Sequence, residues 1–273
     1  LTSLYMSKES HRFEGRFVQG KLVGVGSVTY RNGDRYDGTL DGFARHGEGT
    51  CAYTVGHAIY VGGWVADLRE GAGKLTSRAG ESYEGEWLAD HPHGVGTRIG
   101  ADSSVEEGIF TRGLLHGAGE RRDGFGNHWR GVFVSGLLQG EGFCEVDGAI
   151  YAGGFAEGKF EGIGEITYPD GATYKGGWQA GLRSGSGRYA AADGAVYVGE
   201  WRGGTRHGRG ILTAPRPLAD LAGDSLKAYD GEWADDAFDG EGLATYYSGD
   251  TYEGQFARGR YHGAGVLRRQ GQG

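Results

Sequence analysis

Tyr197-Val-Gly-Glu-Trp201, followed after five residues by His207-Gly-Arg-Gly210, sets an aromatic residue, a glycine and a second aromatic at alternate positions, then two glycines one residue apart. With Tyr197 numbered 0, the marks fall at 0, +2, +4, +11 and +13. Read outward in both directions, position 0 recurs at Phe13, Tyr36, Tyr60, Tyr83, Glu106, Trp129, Tyr151, Tyr174, Tyr197, Tyr229 and Tyr252, at intervals of 23, 24, 23, 23, 23, 22, 23, 23, 32 and 23 residues. Glycine stands at +2, +11 and +13 in all eleven units. Position +4 is Phe17, Leu40, Trp64, Trp87, Phe110, Phe133, Phe155, Trp178, Trp201, Trp233 and Phe256, a large apolar side chain every time. A repeat on this scale means that each unit needs contact only with its neighbours, so residues 1–273 read as a single array.

The period of two over 0 to +4 places both aromatics and the glycine on one face of a β-strand. A second strand is expected from +11 to about +17, with the six residues between as a hairpin loop. Pairing +4 with +11 inside the hairpin then brings +2 against +13 and 0 against +15. A turn near +18 to +20, as in Arg31-Asn32-Gly33, Pro169-Asp170-Gly171 and Ala192-Asp193-Gly194, leads to the next unit in the same register. The expected fold is all-β, an elongated, single-layer, twisted antiparallel sheet of about 22 short strands. A ribbon with ~10 Å per unit runs to about 100 Å. The glycines leave room for each ring to lie over a neighbouring strand with no Cβ beneath it, so one sheet buries its own aromatic surface. Its end strands expose unpaired backbone groups and call for a cap, another domain or a second copy of the chain, a homodimer joined end to end.

Composition narrows the function classes. The net charge is −8 and no basic cluster stands out, against nucleic acid and against an anionic membrane. No apolar run reaches the ~20 residues of a spanning helix and Leu1 to Arg12 lacks the layout of a signal peptide, so a cytoplasmic location is expected. The array reaches close to both ends of the sequence, which leaves room for flanking domains outside it. Cys51 and Cys144 share position +15 four units apart, tens of ångströms by strand spacing, and are expected as free thiols of a reducing compartment.

Tyr83-Glu-Gly-Glu-Trp87 with His93-Gly-Val-Gly96, and the Tyr197 stretch above, resemble the MORN (membrane occupation and recognition nexus) repeat. The resemblance covers eleven units from Phe13 to the C-terminus. It implies an elongated β-ribbon of the kind that serves as a scaffold in cytoskeletal assemblies, in radial spokes of cilia and flagella and at membrane junctions, and as an appendage of lipid kinases or protein methyltransferases.

No residue pattern points to catalysis, a cofactor or a metal. His46, His93, His116, His207 and His262 all hold position +10, but one unit is ~10 Å, too far for two of them to share a zinc ion. Gly153-Gly-Phe-Ala-Glu-Gly-Lys159-Phe160 mimics a phosphate loop, yet Phe160 stands where Ser or Thr must bind magnesium. Departures from register are the better candidates for specificity. Glu106 replaces a ring after Asp102-Ser103-Ser104 and is expected to bend the array; unit 6 ends one residue early at Asp147-Gly148; and residues 215–225 form an inserted loop. The glycine-free face, +1, +3, +12 and +14, turns less polar at Ile109, Val132, Phe143 and Ile163, which with Glu106 make a candidate protein-binding surface. A second candidate is a groove lined by Trp178, Trp201, Tyr229 and Trp233, able to hold a peptide or helix. These features favour a non-catalytic scaffold for proteins of a cytoskeletal or ciliary complex. Two alternatives are a peripheral phosphoinositide-binding module and a targeting domain of a larger enzyme.

Overall fold

The structure, a computed structural model, describes residues 3–6, 11–219 and 225–271. It divides into two compact units, Leu1–Leu137 and Leu138–Gly273. Each is an open, single-layer antiparallel sheet in which strands adjacent in sequence pair with one another. The first unit runs from Ser3–Met6 through Arg12–Val18 and Lys21–Thr29 to His128–Val134, and the second from Leu137–Val146 to Arg260–Arg268. The one helical turn among the described residues is the short 3₁₀ segment Val55–His57.

Between units the register is the expected one. Gly26 faces Gly38, Val28 faces Tyr36 and Gly24 faces Leu40, that is +13 with +2, +15 with 0 and +11 with +4 of the following unit. Within a hairpin the expectation fails beyond +2. Tyr36 faces Cys51 and Gly38 faces Gly49, but Leu40 faces Arg45, so +4 pairs with +9 and not with +11. The six-residue loop is in fact a two-residue turn at +6 and +7. Ala66 and Asp67 (φ 48° and 69°), Ala89 and Asp90 (47° and 67°) and Glu157 and Gly158 (50° and 76°) have the paired positive φ of a type I′ turn, whose twist matches that of the strands it joins. The second strand accordingly starts at +8, three residues earlier than expected, as at Lys21 or Ala44.

The residues saved by the tight turn reappear as a bulge. Three residues, +10 to +12, lie opposite the single +3 residue, and the +11 glycine takes a positive φ in every unit, from Gly24 (84°) to Gly263 (57°). A Cβ on Gly24, Gly71, Gly140, Gly162 or Gly185 would meet nothing within 4 Å, so +11 is glycine for its backbone conformation and not to make room for a ring.

The other two glycines do make room. A Cβ on Gly73 would overlap the hydroxyl and ring of Tyr60, and the same holds for Gly96 with Tyr83, Gly164 with Tyr151 and Gly242 with Tyr229. The position-0 ring lies on its own hairpin's +2/+13 glycine pair, and its hydroxyl donates to the +3 carbonyl at 2.7–3.1 Å in eight units. That carbonyl lies inside the bulge, so the tyrosine satisfies a group the ladder leaves over. The +4 rings then stand edge-on between successive tyrosines. In the first unit Tyr36, Trp64, Tyr60, Trp87, Tyr83 and Phe110 alternate at 5.0–5.5 Å. In the second, Tyr151 to Tyr252 alternate with Trp178, Trp201, Trp233 and Phe256 at 5.1–5.4 Å. Each indole Nε1 donates to the +13 carbonyl of the preceding unit at 3.0–3.3 Å. Glycine in a strand costs about 0.5–1 kcal/mol, whereas each buried ring returns about 1.5–3 kcal/mol and each edge-to-face pair about 0.5–1.5 kcal/mol more. The rings outweigh the glycines that admit them.

Variation in repeat length is absorbed at the inter-unit turn. Intervals of 23 give a three-residue turn closed by a glycine such as Gly33, Gly80 or Gly171 at φ near 90°. Ser103 (φ 65°) fills that role before Glu106, with Ser103 N donating to Gly100 O at 3.1 Å, so the expected irregularity is an ordinary turn. The short interval closes as a two-residue turn, Asp147-Gly148, between paired Val146 and Ala149. The long one lengthens the strands Thr205–Ala219 and Ser225–Ala234, where Leu218 faces Leu226 and Ala219 faces Ser225. The ends of the segment read as an inserted loop, 215–219 and Ser225, are therefore strand, and its centre, 220–224, lies outside the described residues.

Two measurements check this assignment. Gly71→Ala should cost about 1 kcal/mol, the left-handed penalty alone, and Gly71→Asn less, whereas Gly73→Ala should cost about 3 kcal/mol through overlap with Tyr60 and Asn there should be worse; urea midpoints distinguish the two patterns. Burial pushes the phenols of Tyr36, Tyr151, Tyr174 and Tyr197 up from 10.0 to about 12. The folded state thus holds these protons more tightly than the unfolded state. Stability is fully present below pH 10 and should fall as pH rises toward about 12, with tyrosinate absorbance at 295 nm appearing together with unfolding.

Candidate functional site

The rings of this face are covered by other side chains. Trp178, Trp201, Tyr229 and Trp233 are all buried, at 0–6% exposure, so they do not form the open aromatic groove that was expected; of the four, Trp201 borders a concavity, which it shares with Arg183, Tyr189, Tyr197, Arg206 and Leu212. Their faces are occupied by position +9, a landmark the repeat reading missed. Arg45, Arg69, Arg183 and Arg206 hold this position, and each guanidinium lies 4.0–4.3 Å from the indole centroid of the next unit's +4 tryptophan. Arg45, Arg69 and Arg206 also donate to the +7 aspartates Asp67, Asp90 and Asp236 of that unit at 2.8–3.1 Å. Where +9 is aromatic it stacks on position 0, as Phe160 on Tyr151 and Phe238 on Tyr229, both at 3.8 Å. The aspartates are half exposed, so the ion pairs contribute little beyond geometry; coverage of the indole by the guanidinium and its stem is the larger effect. The signal was present in the sequence: +9 is Leu, Arg, Pro, Phe or Tyr in every unit, never small.

The opposite face is open. Charged residues line much of it in cross-strand pairs such as Lys74 with Glu84 (2.7 Å) and Lys175 with Glu165 (3.0 Å). In the first unit the pattern changes over four consecutive strands. Ile109 pairs with Val95 across one strand boundary and Ala118 with Val132 across another, and Ile109 also packs over the space that a Cβ on Gly117 would enter. Val95, Ile109 and Val132 are exposed, and Leu88, Leu114 and Val134 near the hairpin tips add further exposed aliphatic surface to these repeats. Sequence reasoning found Ile109 and Val132 but missed Val95, because adjacency across strands depends on the observed register. In the second unit Ile163 is exposed and Phe143 pairs with Ala152.

Glu106 does not face a partner. Its strand keeps full pairing on both sides, Glu106 with Arg98 and with Arg121, so the pairing continues where a bend was expected. The carboxylate takes the place of the missing ring and is gripped by Arg98 Nη1 at 3.0 Å and Arg121 Nη2 at 2.6 Å, with 15% side-chain exposure. The two arginines in turn lie over the rings of Phe110 and Phe133 at 5.1 and 5.5 Å. Arg98 and Arg121 occupy position +15, apolar in most units, so the substitution at 0 is compensated on both flanking strands.

The remaining candidates are structural. Among the described residues no cluster of His, Cys, Asp and Glu is placed to hold a metal. His93 offers its backbone carbonyl to Tyr83 (3.1 Å) and His116 Nδ1 accepts from Ser135 N (3.4 Å). Cys51 and Cys144 are free and buried, and burial pushes the Cys144 thiol up to about 11. The phosphate-loop look-alike is a β-hairpin: Gly153 and Gly154 lie in strand Ala149–Ala156, Glu157 and Gly158 form the turn, and Lys159 opens the next strand. No helix of the described residues is long and apolar enough to cross a membrane.

The triad supplies a prediction with its own rescue. Glu106→Tyr restores the repeat pattern but leaves two half-buried arginines without their carboxylate, and should destabilise by about 3 kcal/mol. Adding Arg98→Leu and Arg121→Leu should recover most of that loss in thermal denaturation.

None of the curated proteins matches the chain. Solved structures similar to it include the TCP10 domain of CPAP from Danio rerio, at 16% identity and TM-score 0.38, covering 72% of this chain and 94% of that one. Another is the TCP domain of SAS-4 (dCPAP) from Drosophila melanogaster, solved with a proline-rich motif of Ana2 (dSTIL), at 10% identity and TM-score 0.30, covering 54% and 84%. Similarity at this level has no bearing on function. The MORN repeat model matches nine stretches, residues 13–35, 60–82, 83–105, 107–126, 151–173, 174–196, 197–215, 229–251 and 252–273. The count is nine where the glycine register suggested eleven; the stretches beginning at Tyr36 and Trp129 fall outside, although Tyr36 opens a hairpin of the same register. With most of its length matched, and with each matched stretch beginning at or beside a position-0 residue, the chain belongs to the MORN repeat family.

Proposed function

We propose that this chain is a non-catalytic scaffold that holds partner proteins on the ring-free face of its sheet within a cytoskeletal assembly of the ciliary or flagellar kind. The observation that supports this reading is the division of labour between the two faces. The rings are spent on internal packing, while the opposite face is open and, around Val95, Ile109 and Val132, carries aliphatic side chains where Glu48, Glu200, Arg209, Glu232 and Glu241 stand in other repeats. A contiguous apolar surface of this kind is a common mark of a protein contact. Ile163 and Phe143 hold related positions in the second unit, and Glu106 ties together the strands of Val95, Ile109 and Ala118 through Arg98 and Arg121. The net charge of −8 and the absence of a basic cluster weigh against phosphoinositide lipids as the ligand.

Glutamate occupies +3 in three other units, as Glu86, Glu200 and Glu232, so Ile109→Glu and Val132→Glu are substitutions the fold already accommodates. Proximity labelling in the native cell should return cytoskeletal neighbours for the natural chain. The double variant should lose a subset of them about tenfold, as expected when charge enters an interface core, with thermal stability unchanged. A neighbour set dominated by membrane proteins, or one identical for the two forms, would overturn the proposal.

A further inference from the structure

Arginine at +9 and aspartate at +7 of the following unit go together along this chain. Asp67, Asp90 and Asp236 are the aspartates at +7, and each follows a unit whose +9 residue is arginine, Arg45, Arg69 or Arg206. Every other +7 residue is glycine or phenylalanine, and among those Gly204 alone follows an arginine, Arg183. In the matched pairs one carboxylate oxygen accepts from both the arginine Nε and its backbone N, at 2.8–3.1 Å. Arg183 is otherwise set as the other arginines are. Its guanidinium lies 4.0 Å from the Trp201 indole centroid, and its Nη2 donates to the Gly204 carbonyl at 2.8 Å, as Arg69 Nη2 does to Asp90 O at 2.9 Å. Gly204 N donates back to Arg183 O at 2.9 Å, as Asp90 N does to Arg69 O at 3.1 Å. The turn keeps its place and lacks only the side chain. Among the described residues Arg183 has no carboxylate partner, and beyond its chain neighbours a Cβ on Gly204 would meet only Leu182, at 3.8 Å.

We infer that the hollow over Trp201 is a binding site for a small carboxylic acid with an apolar body, its carboxylate resting on Arg183 Nε and N. The hollow has a volume of ≈ 390 Å³, within the about 300–1,000 Å³ of small-ligand sites. Arg183, Tyr189, Trp201, Arg206 and Leu212 border it. An equivalent hollow lies over Trp87 in the first unit, and there Asp90, the counterpart of Gly204, stands in the wall beside Arg69. The place that Gly204 leaves without a carboxylate therefore faces into the hollow. Arg206, on the other side, is already held by Asp236 at 2.8 Å, which leaves Arg183 as the guanidinium with donors to spare. Charge sets the class of ligand. One uncompensated cation and two donors that meet at one oxygen match a monoanionic carboxylate, the group that fills this place in three other units. The half-buried Tyr189 and the buried Leu212 and Ala195 supply apolar surface for the body. The site belongs to the ring side of the second unit and uses no residue of the surface proposed for partner proteins.

The probe is sodium phenylacetate, titrated at neutral pH and constant ionic strength into the full chain, with the arginine Nε–H signals and the amides of Arg183 and Gly204 followed by NMR. The Arg183 and Gly204 signals should shift saturably, whereas the Nε–H signals of Arg45, Arg69 and Arg206, each capped by an aspartate, should stay. Acetate should bind about tenfold more weakly, for want of an apolar body, and benzyl alcohol weaker by about tenfold or more, for want of a charge. Gly204→Asp supplies the carboxylate from within, at a position where Asp67, Asp90 and Asp236 take φ of 67–69° and Gly204 takes 91°. It should keep the circular dichroism of the natural chain and abolish the shifts. Arg183→Leu, with the residue that Leu22, Leu115 and Leu138 place at +9, is a second variant and should weaken binding at least about tenfold, read at the Gly204 amide. Absence of a saturable shift, a shift unchanged in Gly204→Asp, or equal binding of benzyl alcohol would overturn the inference. So would acetate binding as tightly as phenylacetate, since the place would then take a bare carboxylate, such as an acidic side chain of a partner protein, and not a small apolar acid.

Discussion

Everything in this protein depends on a tyrosine ring lying flat on two glycines of its own hairpin. The contact is possible only because neither +2 nor +13 has a Cβ, and it converts a sheet without a second layer into a structure with a core. Tyr36, Tyr60, Tyr151, Tyr174, Tyr197 and Tyr229 are buried almost completely on one face of an open sheet. Once that ring is down, its hydroxyl reaches the +3 carbonyl, the bulge opposite it is held open, and the +4 ring of the following unit finds an edge-on partner. Removing the ring from one unit is tolerated only with a replacement of equal reach, and at Glu106 the replacement is a carboxylate held by Arg98 and Arg121.

The division of the sheet into a consumed face and an open face follows from this contact and shapes what the protein can do. Rings that cover glycines and are themselves covered by Arg45, Arg69, Arg183 or Arg206 present little of their own surface. On the ring-free face residues vary without disturbing the packing. The apolar row through Val95, Ile109 and Val132 is therefore free to differ from the charged rows elsewhere.

Much of this was legible in the sequence. The alternation of ring and glycine specified a strand, the three-glycine register specified pairing between units, and turn residues marked the inter-unit connections. The hairpin interior was not legible, because +11 and +13 are both glycine for unrelated reasons, one conformational and one steric, and a sequence records only that both lack a side chain. Reading them as equivalent placed +4 against +11 and hid both the type I′ turn and the role of +9.

The sequence by itself determined the repeat, its all-β character and the face that carries the rings, since these depend on spacing along one strand, which the covalent chain sets directly. The tertiary structure decided which glycine yields to a ring and which bends the backbone, that Glu106 is gripped and not presented, that the tryptophans are covered and not offered, and that Val95 neighbours Ile109. Each of these turns on contact across strands, where a two-residue shift in register changes every partner while leaving the linear pattern untouched.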